Sequence, residues 1–399
     1  MQTEKGNICI ACGKKLPGEA LISLENMPAS AQDIPDESEV KEDRAVTLKL
    51  FQCDDCGLVQ FDCTPVGYYK DVIRSGGFST TMVELRRRQY KHLISTYDLE
   101  KKNFLEVGCG QGEFLSVLEK FDVNAFGIEH RELLVEKAKK SGLRVWKDFA
   151  SDSGIKLRDP YGIGKYDVFL SFNFLEHQPH PKDMLECIYE HLTDDGMGLV
   201  TVPSLEYILV HDGYYELIRD HLAYYTFETL EELLVSAGFE VLEKELINRD
   251  TLSVIVRKSK NTAAKMKNRK IKSVDVGGLK KSIDRIQDEA RQLINRLKEK
   301  NQSMAIWGAS HQGFTLAATT ELKNFVRYII DSAPFKQGKY APASHLPIVA
   351  PDYFEKNPVD VILIVAPGYT DEIAGIIRKR YGEKVEILVL KSEHIEKYE

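Results

Sequence analysis

The chain has 399 residues, too many for one ordinary core, and so is expected to divide into two or three domains. Hydrophobic residues at 43% exclude a disordered or collagen-like chain, and a net charge of -7 with a pI near 5.9 gives no general pull toward nucleic acid or anionic membrane. No apolar run reaches bilayer length and the opening MQTEKGNICI lacks a secretory core. The expectation is a cytoplasmic protein with no nucleic-acid partner and no membrane partner.

Residues 1–66 are expected to form a zinc-binding N-terminal domain. Seven cysteines make an odd count that suits reduced thiols better than a disulfide framework. Four of them fall into two pairs of one form, Cys9-x-x-Cys12-Gly13 and Cys53-x-x-Cys56-Gly57. Two thiolates at that spacing point at one tetrahedral ion, and the glycine after each pair permits the tight turn. Cys9, Cys12, Cys53 and Cys56 are therefore the expected ligands of a closed, structural Zn2+ site, with the loop between the pairs folding back over it. Cys63, Cys109 and Cys187 lie outside the pattern.

Residues 67–258 alternate strand, turn and helix, the pattern of a doubly wound α/β sheet. The informative stretch is Phe104-Leu105-Glu106-Val107-Gly108-Cys109-Gly110-Gln111-Gly112, an apolar strand entering a glycine turn, with Phe114, Leu115 and Leu118 on the inner face of the next helix. Its spacing is G-x-G-x-G, not the G-x-G-x-x-G that seats a pyrophosphate. Glu106 would repel a diphosphate but suits the ammonium of a methionine. Glu129 ends the next strand about 20 residues on, where a carboxylate takes both ribose hydroxyls. Asp148, after the third strand, is placed to accept from an adenine amino group. These features point to S-adenosyl-L-methionine as cofactor, bound through Glu106, Gly108, Gly110, Gly112, Glu129 and Asp148. The strand Tyr166–Asn173 ends at the reacting group, bringing Asn173 and Glu176 to the cofactor and His177 to the site or its rim. Gly196–Pro203 is a further strand, and Phe239–Leu242 with Thr251–Val256 read as the strand pair that closes a class I methyltransferase (Rossmann-like) sheet.

Residues 259–303 read as a polar linker and a connecting helix carrying Leu279, Ile283, Ile286, Leu293, Ile294 and Leu297 at helical spacing. Residues 304–399 then start a second Rossmann-like α/β domain, with MAIWGAS, YIIDSAP, VDVILIVAP and VEILVL as strands. Lys336, Lys339 and Tyr340 form a cluster suited to a diphosphate.

Taken together, the cysteine knuckles with Cys56-Gly57-Leu58-Val59-Gln60, the loop Glu106–Gly112 and the stretch Asn173–His177 resemble the C-methyltransferases of nucleotide-linked 4-keto-hexoses. So do Ile218-Arg219-Asp220-His221-Leu222-Ala223-Tyr224-Tyr225-Thr226, Gly308-Ala309, Gly313-x-Thr315-Leu316 and Asp331–Tyr340. The resemblance implies a nucleotide-diphosphate sugar as substrate. It implies removal of the C-3 proton beside the C-4 ketone, and methyl transfer to the carbon of the enolate. His221 matches the family's base and Asp220 the acid before it, where the family has Glu; His177 is the second candidate for the base. Tyr69, Tyr224 and His311, with Lys336, Lys339 and Tyr340, are the implied substrate contacts. Ile218 stands where the family has Tyr, and Gln312 where it has Lys. The competing reading is an S-adenosylmethionine-dependent O- or N-methyltransferase of another small molecule or sugar. The sequence leaves the oligomeric state open, and a monomer is compatible with it.

Overall fold

A computed structural model describes residues 7–72, 79–151, 154–260, 271–391 and 394–398. Ile73, Arg74 and Ser75, shortly after Tyr69, and residues 261–270 of the expected linker, lie outside the described residues. Along the chain the elements run β1 (Ile22–Met27), β2 (Val46–Gln52), β3 (Val59–Phe61), α1 (Thr80–Thr96), β4 (Asn103–Val107), α2 (Leu115–Leu118), β5 (Asn124–Glu129), α3 (Glu132–Lys140) and β6 (Val145–Lys147). They continue with β7 (Tyr166–Phe172), α4 (Pro181–Glu190), β8 (Leu192–Pro203), α5 (Leu205–Val210), β9 (Ala223–Tyr224), α6 (Phe227–Ser236), β10 (Phe239–Ile247) and β11 (Thr251–Lys258). The last part holds α7 (Gly277–Glu299), β12 (Met304–Trp307), α8 (His311–Thr319), β13 (Ile329–Ile330), β14 (Ile348–Val349), α9 (Tyr353–Lys356), β15 (Val361–Ile364), α10 (Thr370–Tyr381), β16 (Glu386–Lys391) and β17 (His394–Lys397).

The chain forms two compact units, and it passes between them more than once. Of the described residues, the first holds those within 1–18, 51–205 and 222–273, and the second those within 19–50, 206–221 and 274–399.

The first unit is built on a sheet of order β10-β11-β8-β7-β4-β5-β6. Strands β4 to β8 pair in parallel, while β11 runs antiparallel to β8 and β10. The parallel strands are nearly continuous apolar runs, as strands covered on both faces must be. Phe104, Phe169 and Phe172 are under 2% exposed, and each such ring is worth roughly 1.5–3 kcal/mol of burial. That packing makes the strand ends a rigid platform. Because the order reverses between β4 and β7, a crevice opens at their carboxyl ends, where open α/β sheets bind ligands. Beside this sheet, β3 pairs antiparallel with β9, Val59 opposite Tyr224.

The second unit carries a six-stranded sheet of order β14-β13-β12-β15-β16-β17, parallel except for β17. The connecting helix expected from Leu279 to Leu297 is α7, which buries Leu279, Ile286, Leu293 and Leu297. At the end of β12, Gly308 (φ +125) lies so close to β15 that a Cβ there would sit 2.3 Å from the Val365 carbonyl oxygen. Residues 19–50 also belong to this unit, as the β1–β2 hairpin with Ile22 opposite Leu50 and the acidic loop between them. The loop is held by Lys339 Nζ on the Ile34 carbonyl (3.0 Å), by the Tyr340 N–H on Pro35 (2.9 Å) and by His345 Nε2 against Asp43 Oδ2 (2.8 Å). Its apolar strands and acidic side chains find partners in the second unit, which short-range sequence cannot reveal.

Candidate active site and cysteine cluster

In the first unit the turn after β4 is shaped by three left-handed glycines, Gly108 (φ +70), Gly110 (φ +61) and Gly112 (φ +87). The N–H groups of Gly108 and Cys109 both donate to the Ile128 carbonyl, which ties the turn to the end of β5. Glu129 braces it further: Oε2 accepts from Gly110 N–H and Oε1 from Arg131 N–H, each at 2.9 Å. Burial pushes the Glu129 carboxyl above its ordinary value, and the two amide donors only partly offset that. Glu106 is fully buried on β4. Asp148 follows β6, with Oδ1 accepting from Phe149 N–H (2.9 Å) and Oδ2 from Arg158 N–H (2.7 Å).

A shallow depression here is lined by Gly108, Glu129, His130, Asp148, Phe149 and Phe174 together with Lys70, Val107 and Ile128. It brings together Gly108, Glu129 and Asp148 from three strand ends. His130, Phe149 and Phe174 were not foreseen. Each directly follows a predicted site residue (Glu129, Asp148, Asn173), and that adjacency is the signal that could have found them. Phe174 lies against Gly108, whose added Cβ would meet its ring at 3.2 Å. Tyr69, expected at the substrate, packs edge-on to Phe149 with centroids 6.2 Å apart. Lys70 Nζ lies 4.8 Å from the Phe149 ring centre, and Asp71 pairs with His130 at 2.7 Å.

Beyond β7, Asn173 takes a left-handed conformation (φ +48), and its Oδ1 accepts from Thr201 Oγ1 at 2.9 Å. The 3-10 turn Leu175–His177 then buries Glu176 and His177, with His177 Nε2 3.9 Å from Glu176 Oε1. The Glu176 carbonyl accepts from Leu222 N–H (2.8 Å), which fixes the strip that leads into β9. On that strip Tyr224 is buried edge-on against Phe61, and the next residue, Tyr225, is fully buried. Burial, with the Glu176 charge adding to it, pushes the Tyr225 phenol far above its ordinary value.

The four predicted cysteines converge in the same unit. Cys9 Sγ lies 3.5 Å from Cys56 Sγ, Cys12 Sγ lies 3.5 Å from Cys53 Sγ, and all four sulfurs fall within 4.8 Å of one another. Tetrahedral Zn–S bonds of about 2.3 Å require sulfurs roughly 3.8 Å apart, so the spacing fits. The knuckles are built alike: Gly13 N–H donates to the Cys9 carbonyl and Gly57 N–H to the Cys53 carbonyl, both at 2.9 Å. Without a cation the thiols cannot all ionise. The hydrogen bond with Cys9 drives the Cys56 thiol up, and burial pushes Cys12 up to about 12, while Cys9 itself falls to about 5. A dication would reverse that balance. Gln60, buried on β3, clasps the first knuckle on both sides of Cys9: Oε1 accepts from Ile10 N–H (2.9 Å) and Nε2 donates to Ile8 O (3.3 Å).

In the second unit a small cleft is lined by Met27, Ile218, Arg219, His311, Phe314 and Thr315, with Pro28, Ser30 and Ala31. His311 Nε2 meets Glu216 Oε2 at 3.0 Å, and Gln312 bonds the same carboxylate. Burial raises the Glu216 carboxyl, but the hydrogen bond and charge of His311 outweigh it and hold the group below its ordinary value. Asp220 is buried, and its Oδ2 accepts from Ala31 N–H at 2.8 Å; half-buried His221 follows it. His311 and the Ile218–Asp220 segment therefore meet. Lys336 does not join them: its Nζ bonds the Ala309 carbonyl (2.7 Å) and Asp331 Oδ2 (3.2 Å). Lys339 and Tyr340 hold the acidic loop as described.

Residues 82–244 match the model of a methyltransferase domain, and residues 249–389 match that of the C-methyltransferase C-terminal domain. The chain is 20% identical over 374 residues to the C-methyltransferase NovU of Streptomyces niveus, covering 88% of each. Among solved structures it is similar to an S-adenosylmethionine-dependent methyltransferase from Clostridium acetobutylicum ATCC 824 (15% identity, 48% of this chain, 96% of that one, TM-score 0.35). It is also similar to a SAM-dependent methyltransferase from Aquifex aeolicus (17% identity, 44% and 92%, TM-score 0.35). The protein is an S-adenosylmethionine-dependent methyltransferase of mixed α/β fold, with the class I sheet in its first unit. More particularly, the C-terminal domain match and the likeness to NovU support methyl transfer to carbon. Among the described residues no helix is long and apolar enough to cross a membrane.

Proposed function

We propose that the protein methylates C-3 of a nucleotide-diphosphate-linked 4-keto sugar. The observation that carries this reading is the C-methyltransferase C-terminal domain match over residues 249–389. Carbon is a poor nucleophile until a proton leaves it, so a methyl acceptor at carbon calls for a carbonyl beside it and a base. S-adenosylmethionine supplies an electrophilic methyl group; the chain supplies the rest. Glu106, Gly108, Gly110 and Gly112 seat the cofactor's amino-acid end, Glu129 accepts from its ribose, Asp148 from its adenine, and Asn173 and Glu176 complete the cradle. His221 takes the C-3 proton onto its imidazole, next to Asp220, with His177 as the second candidate. Tyr69, Tyr224, His311, Lys336, Lys339 and Tyr340 are the proposed substrate contacts. The Arg219–His311 cleft supports this for His311, whereas the two lysines must exchange their internal bonds to reach a diphosphate. Zn2+ at Cys9, Cys12, Cys53 and Cys56 is structural, and the protein works in the cytoplasm.

The test is exchange in deuterium oxide. With a 4-keto nucleotide sugar and S-adenosylhomocysteine, the enzyme is expected to wash deuterium into C-3. Methylation without any such exchange in a methyl-acceptor assay would favour an oxygen or nitrogen acceptor.

The Glu129 reading carries a pH signature. Ribose hydroxyls donate to the ionised carboxylate, so cofactor binding favours the charged form. Burial raises this carboxyl in the ligand-free protein. Affinity for S-adenosylhomocysteine is therefore expected to be full above that raised value and to fall as the pH drops through it, beginning above the ordinary carboxylate range. Calorimetric titrations across this window should show the fall in the parent protein and a flat, weaker profile in Glu129→Gln. A flat profile in the parent would remove Glu129 from the ribose.

A further inference from the structure

Glu113 directly follows the glycine turn, and the G-x-G-x-G pattern assigns it nothing. The side chain is only 5% exposed, and its Oε2 is fully buried without a hydrogen-bond partner among the described residues. The carboxylate stands directly over Gly110. A Cβ added there would lie 2.7 Å from Glu113 Oε2 and 3.4 Å from both Oε1 and the carboxyl carbon. The absence of a side chain at residue 110 is thus what makes room for this carboxylate against the turn. Gly110 is flanked by two acids, since its N–H already donates to Glu129.

A buried carboxylate oxygen without a partner is costly, and buried charges in stable proteins are paired. The missing partner is then a cation that arrives with the ligand of the turn. S-adenosylmethionine brings two, a sulfonium and an ammonium, and only the ammonium donates hydrogen bonds. We infer that the Glu113 carboxylate is, besides Glu106, an acceptor for the ammonium group of the cofactor's amino-acid end, a contact that rests on cofactor binding at this turn.

The test compares two ligands by calorimetry on the full chain: S-adenosylhomocysteine, which has the ammonium, and 5′-methylthioadenosine, which lacks the amino-acid end. In the isosteric variant Glu113→Gln the first is expected to bind about 10-fold or more weakly, in line with the loss of one charge-assisted bond, and the second about as in the parent. Glu113→Asp should fall between. The ligand-free Gln variant is expected to melt no lower than the parent, because an unpartnered buried charge has been removed. Unchanged S-adenosylhomocysteine affinity would overturn the inference. Equal weakening of both ligands, a lower melting temperature or failure of the variant to fold would also overturn it, because each makes Glu113 a support of the loop. No binding of S-adenosylhomocysteine to the parent would instead fault the cofactor site itself.

Discussion

Replacing His221 by asparagine is expected to lower turnover by roughly 10²- to 10⁴-fold, the usual contribution of a positioned acid–base group, while S-adenosylhomocysteine binds about as before. The expectation follows from where the difficulty of carbon methylation lies. In the proposed reading the cofactor is held at the strand ends of β4, β5 and β6, and His221 belongs to none of them. A base of near-neutral pKa is the group whose loss stops the reaction without touching that platform. The neighbouring acid is a separate matter. Asp220 spends one oxygen on the Ala31 N–H, so Asp220→Asn, which keeps an acceptor, should cost far less than the His221 change. Single-turnover rates paired with calorimetry check both. Near-normal turnover in His221→Asn, with loss in His177→Asn, would transfer the role to the buried histidine of the Leu175–His177 turn.

The second large effect concerns the cysteine cluster. Cys53→Ser is expected to abolish stoichiometric zinc and to lower the melting temperature by roughly 10 °C or more, since the binding energy of a structural zinc is folding energy. The damage should not stay local. Cys53 N–H donates to the Leu58 carbonyl, β3 follows at once, and Phe61 N–H donates to Leu222 O on the strip leading into β9. Loosening the second knuckle therefore loosens the strip that is tied to Glu176. Metal analysis and calorimetric melting of the variant decide the matter, with Cys63→Ser, outside the cluster, as the control that keeps both properties. A Cys53→Ser protein that retained one zinc and the parent melting temperature would exclude the four-cysteine site.

Much of the candidate site was legible because its signals are short-range. The glycines after β4, the acid ending β5 and the paired C-x-x-C-G segments are set by backbone sterics and ligand spacing within a few residues, and the structure brings each set together. The helical spacing of Leu279 to Leu297 likewise identified α7 without any knowledge of what it packs against.

What only the tertiary structure decided depends on partners distant in sequence. Nothing in residues 19–50 or 206–221 announces that they join the second unit, because a β1–β2 hairpin shows an apolar face but not the surface that will cover it. Lys336 and Lys339 look like phosphate ligands from composition, yet their ammonium groups are taken by Asp331 and by the Ala309 and Ile34 carbonyls. Glu113 is an ordinary acid in the sequence and becomes informative only once burial leaves Oε2 without a partner against Gly110. Periodicity and turn chemistry are written locally, residue by residue. Desolvation and the pairing of charge are properties of the packed chain, and those are what the sequence by itself left undetermined.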